Sequence, residues 1–201
     1  MQSQDINDLR KIADIISTKL SENDIAATTY YRLKDPCSAL NKMILKTNEL
    51  TDLVAFRFIV DKLEYCYKVL DIIRGIYSVK TAEKKNYIDY PKDNGYRSLH
   101  IVTSIGNPRR DVEMQVRTNE MHDIAEFGTA NHNEYKKTQA AKIRELLPSG
   151  MLNIAGINTE LNKAYDIFSQ FNWTIQELIA YEQAIENIYR IYQDQDSLRK
   201  V

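Results

Sequence analysis

The chain of 201 residues is short of cysteine: Cys37 and Cys66 stand alone, without paired spacing. That argues against a disulfide framework and fits a reducing cytoplasm. No stretch of about 18 apolar residues exists, so no membrane span is expected. The opening MQSQDINDLRK lacks the basic-then-apolar layout of a signal peptide. An excess of one charge is also missing, with 27 basic against 28 acidic side chains. A general binder of nucleic acid would be more basic, so any phosphate binding has to rest on local clusters. The histidines at 100, 122 and 132 are too scattered for a zinc site. There is no internal repeat, no low-complexity segment and no Gly-x-x-x-x-Gly-Lys phosphate loop.

What is present is a pattern of helices and strands. The length suits one domain, or one domain with a helical extension. Ile6, Leu9, Ile12, Ile16 and Leu20 recur at helical spacing over 5–20. A short helix is predicted over 36–47, opened by Pro36. LVAFRFIV, 53–60, reads as a buried strand. Residues 65–77 read as a helix, and 78–97 as a basic loop around Pro91, Asn94 and Gly95. Strands are predicted at 98–105 and 111–117, joined by a Gly-Asn-Pro turn. From 119 the pattern is helical, broken near Pro148-Ser149-Gly150, with a capping box at Thr174 and Glu177 and Trp173 placed to staple onto Leu178. The expected fold class is α+β: a small mixed sheet flanked by helices, with a domain over 1–139 and a helical C-terminal extension over 140–201.

Four groups of residues carry potential chemistry. In strand 111–117, Val112, Met114 and Val116 alternate with Glu113, Gln115 and Arg117, which line one face about 7 Å apart. The bland alternative is a solvated sheet face; the functional one is a carboxylate set as general base or metal ligand. Asp52 stands at the mouth of a buried strand that contains Arg57, and a buried arginine needs a partner or a ligand. Strict alternation puts the two on opposite faces unless Asp52 precedes the regular strand or a bulge intervenes. Arg32, Lys34, Ser38 and Lys42 cluster around a helix start, as an anion site or as a solvated basic helix end. Finally, the loop 84–100 gathers Lys84, Lys85, Lys92 and Arg97 around Asn94-Gly95-Tyr96. Its tyrosine is either a core residue or a platform for a planar base.

In order along the chain, YRLKDPCSALNKM, TDLVAFRFIV, YCYKVLDII, NYIDYPKDNGYRSLH and VEMQVRTNEMHDIAEFGTANHNEYK resemble successive motifs of the RelA/SpoT synthetase domain. The resemblance implies a nucleotidyltransferase-like synthetase fold and a (p)ppGpp synthetase (GTP diphosphokinase) that moves pyrophosphate from ATP to the 3′-hydroxyl of GDP or GTP. Asp52 and Glu113 then serve as catalytic carboxylates and Mg²⁺ ligands. Arg32, Lys34, Ser38, Lys42 and Arg57 bind ATP. Lys85, Lys92, Asn94, Tyr96, His100, Gln115, Arg117 and His122 bind the guanine nucleotide, with Tyr96 stacked on the base.

The family usually has Asp at Asn86, Thr at Ile101 and Trp at Asn133. Its multidomain members also carry a hydrolase domain and regulatory domains. Neither has room here, and no (p)ppGpp hydrolysis is expected. The departures motivate one alternative, a catalytically impaired nucleotide-binding paralogue. Another is the same fold acting on a different acceptor, an adenine nucleotide or a tRNA 3′ end, although near-neutral charge makes nucleic acid the weaker candidate. The C-terminal stripe either packs on the domain or forms a homo-oligomer interface. The expected setting is cytoplasmic, away from membranes.

Overall fold

The computed structural model describes residues 9–45, 52–105, 110–128, 155–170 and 173–199. Ile6, the Gly-Asn-Pro turn, Asn133 and the break near Pro148 lie outside them. The elements are α1 (Leu9–Ser21), β1 (Ala27–Leu33), α2 (Pro36–Leu45), β2 (Val54–Val60), α3 (Leu63–Ile76), β3 (Ser78–Asn86), β4 (Leu99–Ile105), β5 (Arg110–Thr118), α4 (Asn119–Phe127), α5 (Ala155–Phe168) and α6 (Ile175–Arg199). They fall into two compact units. One comprises residues 1–33 and 54–132, the other 34–53 and 133–201. The α2 segment therefore groups with the C-terminal helices.

The first unit is built on a five-stranded sheet of order β1-β2-β5-β4-β3. Only β2 and β5 pair in parallel, so the sheet is mixed as expected. One face is apolar. It carries Phe56, Phe58, Val112, Met114, Val116, Leu99 and Ile101, all buried. The apolar sides of α1 (Ile12, Ile16, Leu20) and α3 (Cys66, Val69, Leu70, Ile73) pack on the sheet. Ile101 sits opposite Met114 on this face. A departure from threonine here exchanges a hydroxyl for an ethyl group inside a hydrocarbon core and leaves the polar face untouched.

Two strands were not legible as strands. The segment predicted as loop from 78 contains β3, and β1 has no apolar run at all. Both are sheet edges. An edge strand needs only one covered flank, and lysine or a bulge on it blocks further pairing. β3 shows both features: its sequence is SVKTAEKKN, and its register shifts between Lys80 and Lys85. In β1 the exposed positions are Thr28, Tyr30 and Arg32, alternating with half-buried Thr29 and Tyr31.

The second unit is helical. α6 packs on α5 and on α2, burying Ile175, Leu178, Tyr181, Ala184, Ile185 and Ile188. The predicted capping box forms. The Thr174 backbone N–H donates to Glu177 Oε2 at 2.8 Å, and the Glu177 N–H to Thr174 Oγ1 at 3.2 Å. Trp173 is buried, with its indole N–H on the Ile167 carbonyl at 2.7 Å. The apolar stripe of the C-terminal helix is thus used within the chain. Among the described residues, no helix is long and apolar enough to cross a membrane.

Candidate active site

The polar face of the sheet belongs to the first unit. Cross-strand registers place Arg32 beside Ala55, Tyr30 beside Arg57, Arg57 beside Gln115, Gln115 beside His100, and His100 beside Lys85. Residues paired across a sheet point to the same side, so five strands contribute to one polar surface. It is not the solvated face that alternation in β5 also allows. Gln115 is 7% exposed and Arg117 only 1%.

Glu113 is at the centre of this surface. One carboxylate oxygen meets His100 Nδ1 at 2.9 Å, and the other accepts from Gln115 Nε2 at 2.7 Å. Burial alone would raise its pKa. The bonds from His100 and Gln115 and the charge of Lys85 outweigh burial and bring it to about 2. This pairing stabilises the fold fully above the ordinary carboxylate value of 4.5, and its contribution is lost as pH falls towards about 2. At neutral pH Glu113 is an anion with both oxygens directed. The other His100 nitrogen, Nε2, lies 2.8 Å from the Tyr96 hydroxyl, so a continuous chain runs Tyr96–His100–Glu113–Gln115.

The loop before β4 is shaped to present Tyr96. Gly95 adopts φ 79°, which favours glycine, and its N–H closes a turn onto the Lys92 carbonyl at 2.8 Å. Asn94 Oδ1 accepts from the Tyr96 N–H at 3.2 Å. Asn94 thus builds the loop. Lys92 Nζ sits 5.0 Å from the Tyr96 ring centroid and 4.6 Å from that of Tyr87. A cation over an aromatic face is held by the ring quadrupole. A base stacking on Tyr96 must take the opposite face or displace Lys92.

Asn86 anchors the start of the same loop. Its Oδ1 accepts from the N–H groups of Ile88 and Asp89, each at 3.1 Å, and its Nδ2 donates to Asp89 Oδ2 at 2.6 Å. Tyr67 donates to the other Asp89 oxygen at 2.7 Å. An aspartate at position 86 would keep the turn but set a second carboxylate against Asp89; asparagine removes that conflict. Asn86→Asp is expected to loosen this loop at neutral pH, seen as faster amide exchange at Ile88 and Asp89, with protection recovering as pH is lowered and the carboxylates protonate.

The other end of the polar face is a cluster that sequence reading did not assemble. Glu126 Oε1 accepts from Arg57 Nη1 at 2.9 Å and from Arg117 Nη2 at 2.8 Å. Arg117 also meets His122 Nδ1 at 2.6 Å, and the His122 ring lies parallel to Tyr30 at 6.3 Å. Burial, and next the Arg117 charge, lower the His122 pKa, so the ring favours the neutral form. Arg117, expected among the ligand-binding groups, is enclosed by these partners and supports the surface from beneath. Glu126 lies four residues after His122, on the same helical face; that spacing was the available signal. Arg57, Arg32, Tyr30, Ala55 and Gln115 line a small cleft on this side.

The second unit carries the other carboxylate. Asp52 sits in a turn before β2 begins, which removes the alternation conflict with Arg57. Its two oxygens bind Lys34 Nζ at 2.6 Å and Lys42 Nζ at 3.0 Å. Burial pushes the Asp52 pKa up, but the two lysines more than offset this and hold it below the usual carboxylate range. Ser38 stands at the first turn of α2, where its N–H bonds Asp35 Oδ1 at 3.0 Å. Asp35 therefore caps this helix start, which the sequence leaves as either an anion site or a solvated basic end.

The family described as "Region found in RelA / SpoT proteins" matches residues 31–140. GTP pyrophosphokinase rsh of Brucella ovis is 40% identical over 136 residues, covering 66% of this chain and 18% of that protein. The bifunctional (p)ppGpp synthase/hydrolase SpoT of Escherichia coli is 38% identical over 132 residues, covering 64% of this chain and 19% of that protein. The chain thus spans about a fifth of the length of these curated relatives. Among solved structures, small alarmone synthetase 2 of Bacillus subtilis matches with a TM-score of 0.55 and 26% identity over 76% of this chain and 93% of that one. With its motifs gathered on one polar sheet face and around Asp52, and more than half of its length matched by the family, the chain belongs to the RelA/SpoT family.

Proposed function

We propose that the chain is a (p)ppGpp synthetase, a cytoplasmic enzyme that transfers pyrophosphate from ATP to the 3′-hydroxyl of GDP or GTP. The observation that carries this reading is Glu113. It is held as an anion by His100 and Gln115, in hydrogen-bonded continuity with the loop tyrosine Tyr96. The naming of relatives as GTP pyrophosphokinase and (p)ppGpp synthase/hydrolase supports it.

In this reading Tyr96 stacks on guanine, and Lys85, Lys92 and His100 face the acceptor phosphates and ribose. Arg32 and Arg57 hold the adenine nucleotide, and Lys34 and Lys42 neutralise its phosphates. The acceptor 3′-oxygen attacks the β-phosphorus of ATP. The bond from that phosphorus to the oxygen bridging to the α-phosphate breaks, and AMP leaves. A carboxylate with a pKa of about 2 is a weak base in the ground state. Glu113 therefore orients the hydroxyl and takes its proton only as the new O–P bond forms, which suits a loose phosphoryl-transfer transition state.

Magnesium fits the donor set. Among the described residues no group of three or more His, Cys, Asp or Glu could hold a metal unaided, but Mg²⁺ is commonly bound by one or two carboxylates together with substrate phosphates. Asp52 and Glu113 would be those carboxylates. The ion would supply charge neutralisation on the transferring group.

The impaired-paralogue reading loses its motivation at two positions, since Asn86 is matched to Asp89 and Ile101 lies in the apolar core. A homo-oligomer remains part of the proposal only through surfaces outside the buried stripe of α6. The test is incubation with Mg²⁺, γ-labelled ATP and, separately, GDP, GTP, ATP or deacylated tRNA. Labelled ppGpp or pppGpp is expected. Label on another acceptor alone would replace the guanine reading, and no product with nucleotide binding intact would reinstate the impaired paralogue.

A further inference from the structure

Lys34 lies in the short connection between the end of β1 and the start of α2, outside any regular backbone pairing. Its position is nonetheless fixed from two sides. Its N–H donates to the carbonyl of Leu53, next to Asp52, at 2.7 Å. Its own carbonyl accepts the hydroxyl of Tyr181, 147 residues further along the chain on α6. The Lys34 ammonium then reaches Asp52 at 2.6 Å.

Tyr181 is 0% exposed in the helical core. Packing there asks only for a ring, which phenylalanine would provide. The hydroxyl is a polar group in an apolar setting, and the bond to Lys34 is what compensates its burial. Burial also raises its pKa well above the ordinary phenol value, so it stays protonated and remains a donor at any working pH. A second contact brackets the same segment: Cys37 Sγ lies 3.1 Å from the Tyr165 hydroxyl on α5.

We propose that Tyr181 is a positioning residue for the phosphate-binding centre. By holding the Lys34 main chain, it sets where the ammonium stands against Asp52 and, when the donor nucleotide is bound, against its phosphates. The C-terminal helix is thereby part of the ATP-side machinery. The identity of the ligand rests on the functional reading above; the tie between Tyr181 and Lys34 does not.

The test is Tyr181→Phe in the full chain, which keeps the ring and deletes the donor. Two quantities are read: KM for ATP and for the guanine nucleotide, and the rate at which acetic anhydride labels Lys34, relative to Lys19 and Lys163, by mass spectrometry. KM for ATP is expected to rise about fivefold, the size of one ordinary hydrogen bond, with the acceptor KM unchanged. Lys34 labelling is expected to accelerate against both reference lysines. Tyr165→Phe is the control and is expected to leave Lys34 labelling as in the wild type. Unchanged Lys34 labelling and ATP KM, or an equal rise in both KM values, overturns the proposal. A wild-type chain with no transferase activity sinks the functional reading instead, and the labelling comparison still decides the role of Tyr181.

Discussion

Glu113→Gln is expected to reduce kcat for pyrophosphate transfer by about 10²–10⁴-fold, the usual range for losing a positioned acid–base group. KM for both nucleotides should stay close to the wild-type values. The amide fits the same space, but it cannot accept from His100 and Gln115 at once, as the carboxylate does at 2.9 and 2.7 Å. An NH₂ group then faces one of them, which must turn or, for His100, change tautomer, so a modest fall in melting temperature should accompany the loss. The wild-type pH profile provides an independent check. With Glu113 titrating at about 2, no acid limb between pH 5 and 8 can belong to it. If such a limb vanishes in Glu113→Gln while residual activity is still measurable, the account of Glu113 as a fixed anion is wrong.

Asp52→Asn should be nearly as damaging to turnover, at least about hundredfold, because several kcal/mol of charge stabilisation by a bound metal would be lost. It carries a second expectation of opposite sign. Asp52 now holds both Lys34 and Lys42. Removing its charge weakens the hold on both ammonium groups, so ATP binding measured without metal is expected to tighten while catalysis collapses. Calorimetry in chelator, alongside turnover in excess Mg²⁺, reads both. Weaker metal-free binding in the variant would mean that the lysines serve Asp52 alone and do not reach the phosphates.

The parts of the molecule that could be read in advance share a physical basis. β2 and β5 announce themselves because burial forces a continuous apolar run in one and strict alternation in the other. The capping box at Thr174 and Glu177 is a local device whose geometry follows from three residues of spacing. β1 and β3 were hidden because an edge strand with one covered side needs no apolar run, and the lysines of β3 look like loop chemistry. Glu126 was passed over for another reason: a lone glutamate on a helix acquires meaning only when Arg57 and Arg117, 69 and 9 residues away in sequence, are brought to it. Asp52 and Glu113 stand out by motif order, but the partners that hold both below the ordinary carboxylate range do not. One is neutralised by two lysines, the other directed by a histidine and an amide.

The strand order has a consequence for how the chain is born. β5, in the middle of the sheet, is the last strand in sequence. A ribosome adding about 5–20 residues per second releases β1 with β2, then β3 with β4, as two separate antiparallel pairs. Each exposes an open inner edge until residues 110–118 arrive to join them. α2 waits longer still for α5 and α6, the described helices it packs against, which span 155–168 and 175–199. Unpaired edges and uncovered apolar faces are where nascent chains aggregate. Lys34 and Lys42, proposed to face phosphate, therefore acquire the surroundings that α5 and α6 give them only after more than a hundred further residues have been made.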